Sequence, residues 1–520
     1  MKTRAALVAL ALASISLAPS LSRPAPGPTP VAGVPAADVG EHGPTSDFLS
    51  GSLELVGHAD ITPPAATKPL GNNGGIALIG HCAFVGRWHD YTGTNEIQIV
   101  DIADPANPHV IGSVPGSAIA DAVAREIRAI DLPGYKLLTV MTFSKYLDAG
   151  LITPGQNAFH FWTFAGGDCT KPIAAGTYNT RPFRGHEFFQ WLDPVHSVDG
   201  HPRILEYLTT PLSGTDVVVF DASKPAKTKL IGLFNAGLVP LSLTEANLDP
   251  SIPVGYGKYT HSISLSSDGK RAFISDWDGG YFTLDTSTFA AAYPIGLIHA
   301  AGLQSLPLEY LKGSVGNTHS AVLSPGTNTV VVGDEIYVTN GGGCPFGWMH
   351  VLDAGSLTTK SKQLSQFALA ENDVLNCGTD GLVNDTNASG KRLDGTFSMH
   401  NQTVTKNFVL TSWYGGGLRA IDISNRAAPL EAGFFVPKPV ADISSVPDTP
   451  APVYGKTTPT DDDWWVATWS YPIIRDGYIY VSDVRNGLYI LRAKSGSALA
   501  TELAGIRFLE GNSNLGDFLH

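Results

Sequence analysis

The sequence predicts an all-β fold: a seven-bladed β-propeller of four-stranded antiparallel blades with loop insertions. Three observations carry that expectation. Residues 260–285 (T-H-S-I-S-L-S-S-D-G-K-R-A-F-I-S-D-W-D-G-G-Y-F-T-L-D) read as three short strands. Their turns fall at Ser267-Asp268-Gly269 and Asp278-Gly279-Gly280, where glycine supplies a positive φ. Residues 294–299 add a fourth strand, and four such strands with tight turns make one blade. The third strand then recurs, at residues 96–101, 158–163, 216–221, 280–285, 348–353, 417–422 and 487–492. Successive copies end about 58–70 residues apart, wider than the roughly 40–50 residues of a plain blade, so each carries inserted loops.

The first copy continues into a distinctive turn, I-V-D-I-A-D-P-A-N-P-H-V-I-G-S-V at residues 99–114. V-F-D-A-S-K-P-A-K-T-K-L-I-G (219–232) and I-D-I-S-N-R-A-A-P-L-E-A-G (421–433) repeat it. This pattern resembles the bacterial LVIVD repeat, in which an apolar strand ends in Asp, a Pro-rich turn follows and an outer strand begins. The resemblance implies a secreted or surface β-propeller, and it speaks to the fold more than to the chemistry.

In chain order, Lys2 and Arg4 precede an apolar run to Ala18, which reads as a signal peptide over residues 1–18. An uncleaved anchor is the alternative. Residues 19–46 have the composition of a disordered linker, and 47–520 are read as one propeller domain. No later stretch is apolar enough to span a bilayer, so a secreted, periplasmic or cell-surface protein, acting as a monomer, is expected. With 16 % charged residues and a net charge of −13, the chain has no general attraction for nucleic acid or anionic membranes. Export permits disulfides, and the four cysteines allow three pairings. Cys344 with Cys377 is favoured because both sit in insertions of the fifth blade, leaving Cys82 with Cys169; buried free thiols are the alternative. Residues 53–56 (L-E-L-V) resemble the outer strand of the repeat and are expected to complete the last blade, removing an exposed edge. Residues 437–463 are a long Pro-, Thr- and Asp-rich insertion that either covers a site or is disordered.

The functional signal lies in the histidines. The innermost strands of the third to sixth blades open R-G-H-E-F (His186), Y-T-H-S-I (His261), N-T-H-S-A (His319) and S-M-H-N-Q (His400). The first, second and seventh blades place Gly74-Gly75, Arg128 and Trp469 at roughly that point. Equivalent inner-strand positions converge at one end of a propeller channel, and four imidazoles there form a natural ligand set for a divalent ion. Repeated histidines that only hydrogen-bond neighbouring strands are the competing reading. His81, His89, His160, His196, His201 and His350 lack the repeat equivalence, and His109 and His299 fall far from the axis. Glu335 and Asp276, at the ends of second strands, are candidates to orient the rings or to bind the ion, with turn capping as their ordinary role. Arg128 and Arg485 are candidates to hold an anionic group.

Imidazole without thiolate suits copper, iron or zinc. The arrangement is similar in outline to methanethiol oxidase (selenium-binding) propellers, which use histidines for copper, and to carotenoid cleavage oxygenases, which hold iron with four axial histidines. That likeness implies an open metal position and redox chemistry. No nucleophile elbow, H-E-x-x-H, P-loop or dinucleotide fingerprint stands where its structure would need it. The expected function is therefore an exported, metal-dependent oxidoreductase acting on a small molecule, with Glu335, Asp276 and Arg128 as catalytic candidates. A binding propeller without catalysis and a metal-assisted hydrolase are the alternatives.

Overall fold

The computed structural model describes residues 47–87, 96–144, 152–211, 216–234, 260–277, 280–291, 304–305, 318–335, 347–369, 372, 397–440, 443 and 466–519. The signal segment, the linker, Cys344, Cys377, His89, His299, the expected strand at 294–299 and most of the 437–463 insertion lie outside the described residues.

The chain is an all-β propeller of small antiparallel sheets. Every copy of the recurring strand is observed as a strand: Gln98–Asp101, Ala158–Phe164, Val217–Asp221, Gly280–Asp285, Met349–Asp353, Leu418–Asp422 and Gly487–Ala493. Within each repeat the strands pair in sequence order, as hairpins with tight turns require. Seven separate blades, however, do not form. The strands assemble into six hydrogen-bonded sheets, five of four or five strands and one of eight. The eight-stranded sheet arises because strand Cys82–Arg87 of the first repeat pairs with Ala122–Leu132 of the second through Arg87 and Ala124. One backbone pair thus fuses the first two expected blades.

The last sheet is completed by a strand from the start of the chain. Leu53–Ala59 pairs antiparallel with Gly487–Ala493, from Leu53 opposite Ala493 to Ala59 opposite Leu488. The outer strand Leu430–Val436 of the neighbouring sheet likewise gains Phe48–Gly51. Both additions cover edges that would otherwise present unpaired amides. Apolar clusters fill the spaces between sheets: Trp191, Tyr207 and Val219 pack with Ile263, Ile274 and Phe282.

The inner strands also meet across the ring. The Tyr471 hydroxyl donates to Glu187 Oε2 at 3.1 Å, joining the last repeat to the third. Further along, the C-terminal segment crosses between the same repeats. Phe508–Leu509 pairs with Ile473–Arg475, Gln190 bridges Ser513, and the Asn514 amide both accepts from Leu192 N and donates to Leu192 O. These contacts begin four residues, or about 13 Å of extended strand, beyond His186. The histidine end of the channel therefore has a packed floor.

Candidate metal centre

A shared backbone irregularity builds the site. In the fourth repeat, Thr260 pairs with Asp276 and Ser262 with Ser275, so His261 is skipped in the ladder. The fifth repeat does the same, with Thr318 opposite Asp334 and Ser320 opposite Gly333 around His319. Such a bulge re-aims the extra side chain out of the sheet. Asp276 and Asp334 hold the bulges from the second strand, accepting from Thr260 Oγ1 at 2.8 Å and Thr318 Oγ1 at 3.2 Å. Asp276 thus fixes the residue before His261.

The four repeat-equivalent histidines stand together. His186 Nε2 lies 2.7 Å from His261 Nε2, the His261 and His319 ring centroids are 3.8 Å apart, and those of His319 and His400 are 4.1 Å apart. Glu335 faces three of them, with its carboxylate oxygens 3.9 Å from His261 Nε2, 3.6 Å from His319 Nε2 and 3.7 Å from His400 Nε2. The Tyr414 hydroxyl donates to Glu335 Oε1. Tyr414 itself sits at φ +38°, a conformation that costs a non-glycine residue free energy and clusters at functional sites.

Two features bear on whether these donors could hold a cation. His400 Nδ1 donates to Trp469 O at 2.8 Å, and because a carbonyl can only accept, the tautomer is fixed with a lone pair on Nε2. That lone pair faces the buried Glu335 carboxyl group at 3.7 Å. His319 is fully buried, and neither of its ring nitrogens makes a hydrogen bond of ordinary geometry. His319 differs in this from the histidines outside the cluster. His160, His196, His201 and His350 each have a local partner, respectively Thr142, Asp193, Pro202 O and Asp334. Donors held at about 2.0–2.1 Å from one ion lie about 3.4 Å apart in a tetrahedron, and about 2.9 Å (adjacent) or 4.1 Å (opposite) in an octahedron. The Glu335 spacings of 3.6, 3.7 and 3.9 Å are somewhat wider than the tetrahedral value, and the 2.7 Å contact between His186 and His261 is shorter than either adjacent value. Two overlapping ligand sets result, His319–Glu335–His400 and Glu187–His261–His319.

The second repeat contributes a residue that the sequence reading misplaced. Its bulge lies between Val123 and Glu126, so Arg125, not Arg128, takes the position equivalent to the histidines. Arg125 Nη2 is 3.1 and 3.2 Å from the two ring nitrogens of His186. Arg128, three residues on, is buried in the floor, donating to Ile127 O, Glu126 Oε2 and Phe188 O. Arg485 donates to Val440 O. The signal for Arg125 was available, since A-R-E-I aligns with T-H-S-I one residue before the strand resumes. Gly74 and Gly75 of the first repeat have no side chain, and a Cβ on Gly74 would come within 2.9 Å of Arg125 Cα. Trp469 of the last repeat packs against His400, with centroids 4.9 Å apart. Glu187, Trp277 and Tyr414 complete the surroundings; Trp277 stacks on His261 at 5.2 Å. The third candidate set, His81–Cys82–Cys169, is not a thiolate site, because Cys82 and Cys169 form a disulfide.

Burial holds the imidazoles neutral. It lowers His186, His261 and His319 well below the usual value and His400 to about 3, with Arg125 adding to the effect in each case. Burial pushes carboxyls the other way, Glu335 and Glu510 to about 7 and Glu206 to about 8. The two sets oppose each other in the metal-free protein. A lowered histidine leaves the unfolded chain binding more protons as pH falls below 6.5, so stability drops in that direction. A raised carboxyl keeps a proton that the unfolded chain loses above 4.5, so stability drops as pH rises towards 7–8. Each proton contributes a slope of about 1.4 kcal/mol per pH unit. The metal-free protein is therefore expected to be most stable between about pH 4.5 and 6.5, where the two sets of slopes largely offset each other. Urea melts from pH 3 to 9 check this, and a stability that climbs steadily from pH 5 to 9 would contradict it.

Comparison with known proteins gives the following. The LVIVD repeat family matches residues 71–115, 404–436 and 473–491, so the chain carries LVIVD repeats in its first, sixth and last segments. No curated protein matches the chain. Similar solved structures include the β-propeller domain of Myceliophteria thermophila Cps50 (Swd1), at 11 % identity and a TM-score of 0.44, covering 81 % of this chain and 96 % of that one. Sqt1 from Chaetomium thermophilum is similar at 14 % identity and a TM-score of 0.41, covering 88 % and 90 %. The Pseudomonas aeruginosa periplasmic gluconolactonase PpgL is similar at 15 % identity and a TM-score of 0.36, covering 56 % and 68 %. Among the described residues, no helix is long and apolar enough to cross a membrane.

Proposed function

We propose that the chain is an exported metal-binding β-propeller that holds one copper or iron ion at the histidine cluster and acts as an oxidoreductase on a small molecule. His319, His400 and Glu335 would form the core of the ligand set, with His261 and His186 beside them. The observation that carries this reading is the buried meeting of the His400 Nε2 lone pair, the Glu335 carboxyl group and the His319 ring, whose nitrogens make no hydrogen bond of ordinary geometry. A cation between them would take the place of the proton that Glu335 keeps up to about pH 7 and would satisfy nitrogens that otherwise cost about 1–3 kcal/mol each to bury. An imidazole–carboxylate set with positions left open suits iron or copper, and an ion so held supplies electron transfer or oxygen chemistry to a bound molecule. The outline likeness to methanethiol oxidase and carotenoid oxygenase propellers points the same way. The chain's own part is to exclude water below the cluster, to fix the His400 tautomer through Trp469 O, and to orient Glu335 through Tyr414.

Elemental analysis of the secreted protein, purified without chelators, tests the proposal. About one copper or iron per chain is expected. Zinc or calcium in their place would redirect the reading to metal-assisted hydrolysis. No metal, even after soaking with excess ions, would leave a binding propeller.

A further inference from the structure

The same cluster carries a cation that the ion does not need. Arg125 belongs to the ring of bulge residues, so its guanidinium is aimed where the histidines are aimed. It lies over the Phe143 ring at 4.9 Å and the Trp469 ring at 5.6 Å. Glu126 lies 3.8 Å from its Nε, beyond hydrogen-bonding distance, and that Nε has no hydrogen-bond partner among the described residues, while Glu187 and Glu335 also feel its charge. Arg184 rests on the same Phe143 ring, at 4.9 Å. A guanidinium cannot lose its proton, so this side of the site is permanently positive. Placing a fixed charge beside four imidazoles that are to bind a dication is unfavourable, and an anion arriving with the substrate would offset it beyond what Glu335 and Glu187 supply.

Exposure differs around the cluster. His261, His319 and His400 are 4 %, 0 % and 2 % exposed, whereas the Arg125 side chain keeps 12 % and His186 is half-buried. Below, the Glu187–Tyr471 bond and the C-terminal segment fill the ring. Among the described residues of the cluster, Arg125 and His186 are more exposed than His261, His319 and His400.

We propose that Arg125 anchors the anionic group of the molecule that enters this site, making the substrate a small carboxylate. The inference rests on the metal-centre reading. The planar fork of Arg125 binds a carboxylate through two parallel N–H···O bonds, and the aromatic faces on either side hold the fork in place. His186, in contact with Arg125 Nη2 and 2.7 Å from His261, links the anchored group to the ligand set. The charge cost noted above is removed when the carboxylate binds.

Formate is the probe, titrated into the full copper-loaded chain and read by copper electron paramagnetic resonance and visible absorption. Wild-type protein is expected to show a saturable formate response. Arg125→Gln should keep its copper and weaken that response at least tenfold, and Arg125→Lys, with a point charge but no fork, should fall between. Binding of neutral imidazole should be the same in all three. An undiminished formate response in Arg125→Gln would overturn the proposal, as would no response in wild type. Loss of copper by both variants would overturn it too, by making Arg125 a structural support. Copper content of the wild type, measured first, separates the two readings. Absence of uptake would sink the centre, whereas uptake without an Arg125-dependent response would overturn only the anchor.

Discussion

Replacing His261 and His319 together with alanine is expected to reduce bound metal from about one ion per chain to less than a tenth, without unfolding the ring. Both residues are bulge positions outside the ladder, so neither substitution breaks a strand pair. In the metal-free protein the change should cost little. His319 has two buried nitrogens without hydrogen bonds, and removing them relieves about as much as the lost packing costs. The contrast appears on loading. Wild-type protein should gain about 2.7 kcal/mol at a free metal concentration a hundred times the dissociation constant, and the double variant should gain almost nothing. Tyr414→Phe, which frees Glu335 from its donor, should weaken metal binding about 10–100-fold while leaving the ligands in place. Paired melting curves with and without copper, beside elemental analysis, provide the check. If the histidines are structural instead, the double variant will lose several kcal/mol with no metal present, and wild-type stability will not respond to copper.

The histidine cluster was legible because the repeat supplies its own alignment. T-H-S-I and N-T-H-S-A mark the same register, and radial repetition brings equal registers to one end of the channel. The misplacement of Arg128 has a local cause. Pattern reading counts residues along a strand, whereas the bulge between Val123 and Glu126 takes two residues out of the count and turns Arg125 inward. Asp276 and Glu335 looked interchangeable as acidic strand ends. They separate because Asp276 is opposite Thr260 and holds that strand end, while Glu335 lies one residue beyond its strand and turns into the cluster. Nothing in the sequence marks the fusion of the first two repeats, since a single backbone pair carries no side-chain pattern. Glu187 and Tyr471 meet across the ring from positions 284 residues apart, a contact that only closure of the ring defines.

The largest stability effect is expected away from the cluster, at the disulfide. Cys82 opens the second strand of the first repeat, and Cys169 follows the third strand of the second; both are buried. The bond therefore ties together the two repeats that one backbone pair fuses, and it closes a loop of 87 residues. Loop-closure entropy for that length corresponds to about 4–5 kcal/mol. At about 2.1 cal/mol/K per residue, a ring of this size unfolds with roughly 1 kcal/mol/K, so a Cys82→Ala/Cys169→Ala variant should melt about 4–5 °C lower. Hydrogen exchange should quicken first in strands Cys82–Arg87 and Ala158–Phe164, on either side of the lost bond. Metal content should not change, because neither cysteine belongs to the histidine ring. An unchanged melting temperature would show that apolar packing between the two repeats already holds them. Loss of metal in the variant would show that the ring transmits the fusion of its first two repeats to Arg125 and the centre.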